Sequence, residues 1–415
     1  MSATSTSDTD RYELGFWGVA FAFTALMAFT TAPTPLWSLF AHRDGFSSLT
    51  ITVAFAAYAV AVAISLVLAG HLSDTYGRRR LLAPALALNV VAGLVFVAWP
   101  ALPGLLVARV LSGLGVGAAT ATATVWLAEL EAARRPGVGS HRAQIVSTAA
   151  NLGGLGLGGL IAGVLAQWVG HALTLPFLVL VGALLIGLVA IAFAPETRIA
   201  TSPRPRYRPQ RVSVPPRSRS RFFAAATAVA ITFAIFGLLT SLAPSFLAGT
   251  LHEPSHALAG AVSFALFGTA ALAQTLTGAR SPQQLLTAAI PALLAGVGLL
   301  TLALWVPSPS FGIFLAGDLV AGVGAGLMFK GAIETVTEIS LPERRAEAVA
   351  GFFLAAYVGL AGPVIGLGAL TQVASTRVSL LVFSGLLALG ILAATPALLG
   401  GRGRHASTQP QTVSH

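Results

Sequence analysis

The sequence predicts an all-α integral membrane protein, with twelve transmembrane helices in two pseudo-symmetric six-helix bundles. Three observations carry that expectation. The 415 residues are 55% hydrophobic and only 9% charged, against about 25% charged in a soluble domain. Long apolar runs alternate with short polar breaks along the whole chain. The second half repeats small-residue patterns of the first.

The apolar core of a bilayer is about 30 Å thick and takes about 20 helical residues to cross. No water satisfies backbone groups there, so the runs must be helices. Charges and Pro/Gly breaks place spans at roughly 14–40, 48–69, 81–99, 104–128, 143–168, 172–194, 222–249, 256–278, 284–305, 310–335, 347–370 and 376–400. The expected domains are an N-terminal tail (1–13), a first bundle (14–194), a linker (195–221), a second bundle (222–400) and a C-terminal tail (401–415). The polar start, MSATSTSDTDRYEL, has no basic segment, and no cleavage site follows, so the first span is read as uncleaved. The linker mixes prolines and arginines without apolar periodicity and reads as a solvated connector.

The net charge of +10 is not spread as a nucleic-acid patch would be. Arg78, Arg79, Arg80, Arg134, Arg135 and Arg142 fall in breaks on the same side as the linker arginines, whereas the opposite breaks hold only Arg43 and Arg377. That asymmetry predicts a multi-pass protein of the cell (plasma or inner) membrane with both termini cytoplasmic. Cysteine is absent, which excludes disulfides and thiol chemistry. No Walker loop, HExxH pair or GxSxG elbow occurs, so no enzyme, cofactor or metal is expected.

The repeat can be written residue by residue. The stretch Arg109–Gly117 overlays Asp318–Gly326, with Gly113 on Gly322 and Gly117 on Gly326. Nearly the same offset puts Glu129 on Glu338, Gly154 and Gly158 on Gly362 and Gly366, Gly70 on Gly278, and Pro35 on Pro244. Parallel six-helix repeats are a layout of secondary transporters.

Four charges fall inside spans: Arg109, Asp318, Lys330 and Glu334. Each costs of order 3 kcal/mol on insertion scales and needs a partner or a wet cavity. They are the candidates for transport and coupling. Arg109, Gly113, Thr120 and Thr124 share one small, polar helix face suited to a cavity or close packing. Arg109 and Asp318 occupy equivalent positions, which suggests that they pair across the cavity when the outer side closes; the alternative is a separate local partner for each. Lys330 and Glu334, spaced i and i+4, are expected to pair with each other or with the interface. Asn151 is a polar candidate for cavity lining. Trp37, Trp126 and Trp168 lie near span ends and read as an interfacial belt.

The densest charge cluster of the first 130 residues is GHLSDTYGRRRLL, from Gly70 to Leu82. Gly70 ends a helix, Gly77 supplies a turn, and Asp74 is an acceptor among donors. This loop resembles the signature between helices 2 and 3 of the major facilitator superfamily, carried by Gly70, Asp74, Gly77, Arg78 and Arg79. The helix around Arg109 is similar to the family's helix-4 motif, and Pro195-Glu196-Thr197 to its usual ending after helix 6. The resemblance implies that helices 1, 4, 7 and 10 line a central cavity and that Asp74 latches the cytoplasmic gate. On helix 5, Gly154 and Gly158 resemble the antiporter motif, but Leu155 stands where that motif has Pro; the Gly-Pro pair occurs at Gly362 and Pro363 instead. The functional expectation is a monomeric secondary transporter of small molecules working by alternating access, as proton-coupled efflux of apolar or drug-like compounds. The alternatives are a sugar or metabolite carrier and a non-transporting membrane sensor.

Overall fold

The structure is a computed structural model that describes residues 6–69, 72–137, 139–198, 218–341 and 344–400. Twelve helices are long and apolar enough to cross a membrane. We number them α1 (Thr6–Thr31), α2 (Ser48–Ala69), α3 (Arg78–Ala98), α4 (Leu102–Arg134), α5 (His141–Trp168) and α6 (Leu175–Phe193) in the first half. The second half has α7 (Arg219–Ser241), α8 (His256–Leu276), α9 (Pro282–Trp305), α10 (Phe311–Ile339), α11 (Arg345–Leu370) and α12 (Thr376–Leu399). Residues 199–217 of the linker, with most of its arginines and prolines, residues 1–5 and 401–415, and Gly70 lie outside the described residues, as does the side chain of Asp74.

Packing follows the halves. Within the first, α2 and α3 pack on α4, and α1 packs on α4, α5 and α6. Within the second, α8 and α9 pack on α10, and α7 packs on α10, α11 and α12. Between halves, α5 lies against α8 and α2 against α11. Spans 1 and 7 are not continuous helices. Pro33 and Pro35 break α1 before a short helix, Trp37–Asp44. Leu242 and Pro244 mark the same break after α7, before Ala243–Gly249. A proline removes a backbone donor and clashes with the preceding turn, so it kinks or ends a helix. The Pro35–Pro244 match is thus a match of backbone shape.

The repeated glycines of α4 and α10 also do equivalent work. A side chain at Gly113 would strike the Tyr58 carbonyl of α2, and one at Gly322 would strike the Leu266 carbonyl of α8. Gly117 and Gly326 meet Val62 and Ala270 in the same way. Backbones this close are the geometry that small residues permit in lipid, where dispersion and not the hydrophobic effect joins helices.

The repeat fails in α11. Gly158 packs on α1, where an added Cβ would strike the Ala28 carbonyl, and Gly154 packs on Thr24 and Met27 beside it. Gly362 and Gly366 meet nothing within 4 Å. The contact of α11 with α7 passes to Gly359, which abuts Ala230. An offset of 208 instead of 209 residues turns a helix by about 100°, enough to swing a packed face outward. Pro363 lies half-buried in the helix interior.

The tryptophan expectation is also corrected. Trp37 is 1% exposed and Trp126 0%, so neither joins an interfacial belt. Trp37 packs beside Phe40, and Trp126 donates to the Pro195 carbonyl at 3.1 Å. Trp168 is 71% exposed.

These contacts predict opposite outcomes for two glycines aligned by the sequence repeat. Gly158→Val should lower stability by about 1–3 kcal/mol through overpacking. Gly362→Ala should be neutral or slightly stabilising, since Ala is the better helix former. Thermal unfolding midpoints of the detergent-solubilised protein check both.

Candidate functional site

A cavity of about 550 Å³ lies between the halves. Its walls come mainly from α1, α2, α4, α5, α7, α8, α10 and α11, more than the four helices expected from the resemblance. It is closed on the side away from the linker. There the short helices Trp37–Asp44 and Ala243–Gly249 pack on each other, burying Leu36, Trp37, Phe40, Phe246 and Leu247. On the same side Gln167 of α5 accepts the His256 backbone N–H of α8 at 2.9 Å, and Gly368 of α11 abuts Thr52 of α2. Towards the linker side the lining continues to Ser73, Arg78 and Gln274.

The two walls differ in chemistry. The first half contributes Thr120, Thr124, Ser147 and Asn151. Thr120 donates back to the Val116 carbonyl at 2.9 Å, and the Ser147 hydroxyl lies 3.1 Å from that of Thr124. Asn151 sits in a π-helical turn, Ala149–Gly153, which interrupts α5. The second half contributes an aromatic wall. Phe233 lies 5.6 Å from Tyr357 and 6.1 Å from Phe329, and Phe236 lies 5.1 Å from Phe267 between ring centroids.

Arg109 lines the cavity and is only 2% exposed. One Nη donates to the Thr30 carbonyl at 3.0 Å. Its guanidinium lies over the rings of Tyr58 and Phe55, 4.4 and 5.4 Å from their centroids. Asp318 does not line the cavity. It is fully buried, and neither carboxylate oxygen has a hydrogen-bond partner. The expected Arg109–Asp318 pair is therefore not made, although the side opposite the linker is closed. The cause is reach. Arg109 is long enough to leave the α2–α4 contact and enter the cavity, whereas Asp318, one turn before Gly322, ends within its own half, on the face of α10 that packs on α8.

Lys330 is also reassigned. Its ammonium donates to the Gln274 carbonyl at 3.0 Å, the Gly278 carbonyl at 2.8 Å and the Thr277 hydroxyl at 3.4 Å. It closes the C-terminal end of α8, where a cation meets unpaired carbonyls and the negative end of the helix dipole. The expected ion pair with Glu334 is not formed. Glu334 stands half-buried one turn further along α10.

The loop before α3 is held by a network that the sequence only partly announced. Gly77 adopts φ +102°, a conformation that favours glycine, and directs the chain into α3. Arg78 is 3% exposed and grips Glu129 of α4 through two hydrogen bonds of 2.8 and 3.1 Å. It also donates to Ser73 at 2.7 Å. Glu196, just after α6, accepts the backbone N–H groups of Arg78 and Arg79 at 2.9 and 3.0 Å, and Thr197 donates to Glu129 at 2.6 Å. Arg79 itself is exposed and donates to the Ala192 carbonyl. Arg134 and Arg142 form ion pairs with Glu13 and Glu131.

Glu196 acts as a cap supplied from another helix, and its loss should cost about 1 kcal/mol, the usual scale for a capping side chain. Glu196→Ala should therefore lower the unfolding midpoint more than Glu196→Gln, which keeps one acceptor oxygen. Hydrogen exchange at the first turn of α3 should rise in the same order.

Comparison with known proteins agrees with this architecture. The family model described as Major Facilitator Superfamily matches residues 17–305, more than half of the chain. A crystal structure of a mutant of the nucleoside transporter NupG superposes with a TM-score of 0.68 at 11% identity, covering 92% of this chain and 99% of that one. A bacterial homologue of the human lysosomal transporter Spinster, inward-facing and unoccupied, gives 0.68 at 15% identity, covering 97% and 100%. No curated protein sequence matches. At such identities the solved structures speak for the fold alone. The twelve-helix architecture and the match over residues 17–305 place this chain in the Major Facilitator Superfamily.

Proposed function

We propose that the chain is a secondary active transporter that moves small molecules across the cell membrane by alternating access, with bundles 14–194 and 222–400 rocking about the cavity. The observation that carries this reading is the cavity between the halves, sealed on one side and lined as far as the other. With both termini cytoplasmic, as the arginine asymmetry favours, the sealed side is external and this conformation faces inward. Opening outward requires parting Trp37–Asp44 from Ala243–Gly249 and α5 from α8.

The aromatic second wall favours substrates with an apolar body, and efflux of drug-like compounds fits it best. Proton coupling is assigned to Asp318. Its carboxyl group is buried within the second half without a hydrogen-bond partner, and it lies outside the cavity, so a proton bound there would not compete with substrate for the same site. The loop Gly70–Arg79 is the proposed gate element on the linker side.

Gradient-driven uptake into proteoliposomes by a compound panel tests the proposal. Flux should depend on an imposed pH gradient, and Ala121→Trp, which fills the cavity wall, should remove most of it at unchanged folding. Asp318→Asn should abolish the response to the pH gradient but keep substrate exchange. A protein that binds compounds and moves none under any gradient is a sensor and overturns the transport reading.

A further inference from the structure

The cavity carries a charge that the protein leaves unanswered. Arg109 is buried, faces the cavity, and has no carboxylate within ion-pair distance among the described residues. Its contacts are one backbone carbonyl and two aromatic faces, and its Nε has no hydrogen-bond partner. Among the described residues none of the cavity lining is acidic; the other arginine of the lining, Arg78, is gripped by Glu129. The titratable carboxyls of α10, Asp318, Glu334 and Glu338, are not part of the lining.

A buried cation is costly when its charge is met only by dipoles and ring faces, and a bound anion relieves that cost. Ring faces hold the guanidinium in place and leave its edge for hydrogen bonding. Across the cavity stands the aromatic wall of Phe233, Phe329, Phe353 and Tyr357. One wall therefore offers a fixed positive donor and the facing wall offers stacking surface. Resting on the transport reading above, we infer that Arg109 is the anion-binding residue of the substrate site, and that the substrates are amphipathic organic anions, with an aromatic or apolar body and a carboxylate or similar head. A lipophilic cation would put its charge beside Arg109 with no acidic residue of the described lining to receive it.

The test uses the purified full-length protein and three probes that share one ring system: 2-naphthoate, 2-naphthamide and 2-naphthylmethylammonium. Calorimetric titration should rank naphthoate first by about tenfold or more, the scale of a charge-assisted hydrogen bond. Arg109→Gln should erase that preference by lowering naphthoate affinity more than naphthamide affinity, and Arg109→Lys should keep part of it. Equal affinities, a preference for the cation, no binding by any probe, or a preference that survives Arg109→Gln would each overturn the inference. The wild-type ranking decides by itself should a variant fail to fold. Naphthoate that binds tightly yet never crosses proteoliposomes under any gradient would support the anion site and overturn the transport reading instead.

Discussion

The constraint on which the structure depends is that every charge placed in an apolar slab must be answered. The protein meets three of them in different ways and leaves a fourth open. Arg78 receives a bidentate carboxylate. Lys330 receives the carbonyls at the end of a helix. Arg109 receives ring faces, a single carbonyl and a cavity. Asp318 receives nothing in this conformation. The first two fix helices to one another and belong to the scaffold. The last two are unfinished, and unfinished charges at membrane depth are where function is expected.

The scaffold was largely legible because lipid leaves the backbone few choices. Apolar run length and proline position foretold twelve helices, whereas Pro35 and Pro244 were read only as a match between the halves, and the bends they make in spans 1 and 7 came from the structure. The glycines of α4 and α10 were readable as packing positions, since a repeat preserved at one offset preserves helix phase. The same reasoning misplaced Gly362, because a shift of one residue rotates the face it describes.

The site was less legible for two physical reasons. Side-chain reach is invisible to alignment. Arg109 and Asp318 are equivalent in the backbone, yet one enters the cavity and the other stays between helices. Partners that are backbone atoms leave no letter in the sequence either. Lys330 has an acidic residue at i+4 and still prefers carbonyls contributed by α8, because three oxygens at a helix end surround it more completely than one flexible carboxylate. Glu196 was visible as part of a motif, but its role required the start of α3 to lie beside the end of α6.

Lys330 has a consequence of a practical kind. It is the only lysine in the chain. Its amine is occupied by three oxygens at the end of α8, so an amine-selective reagent finds it reactive only while that helix end is open. The chain therefore carries a built-in chemical reporter at one defined joint of its second half. Mass labelling at that single side chain can follow the working cycle without introducing any foreign group.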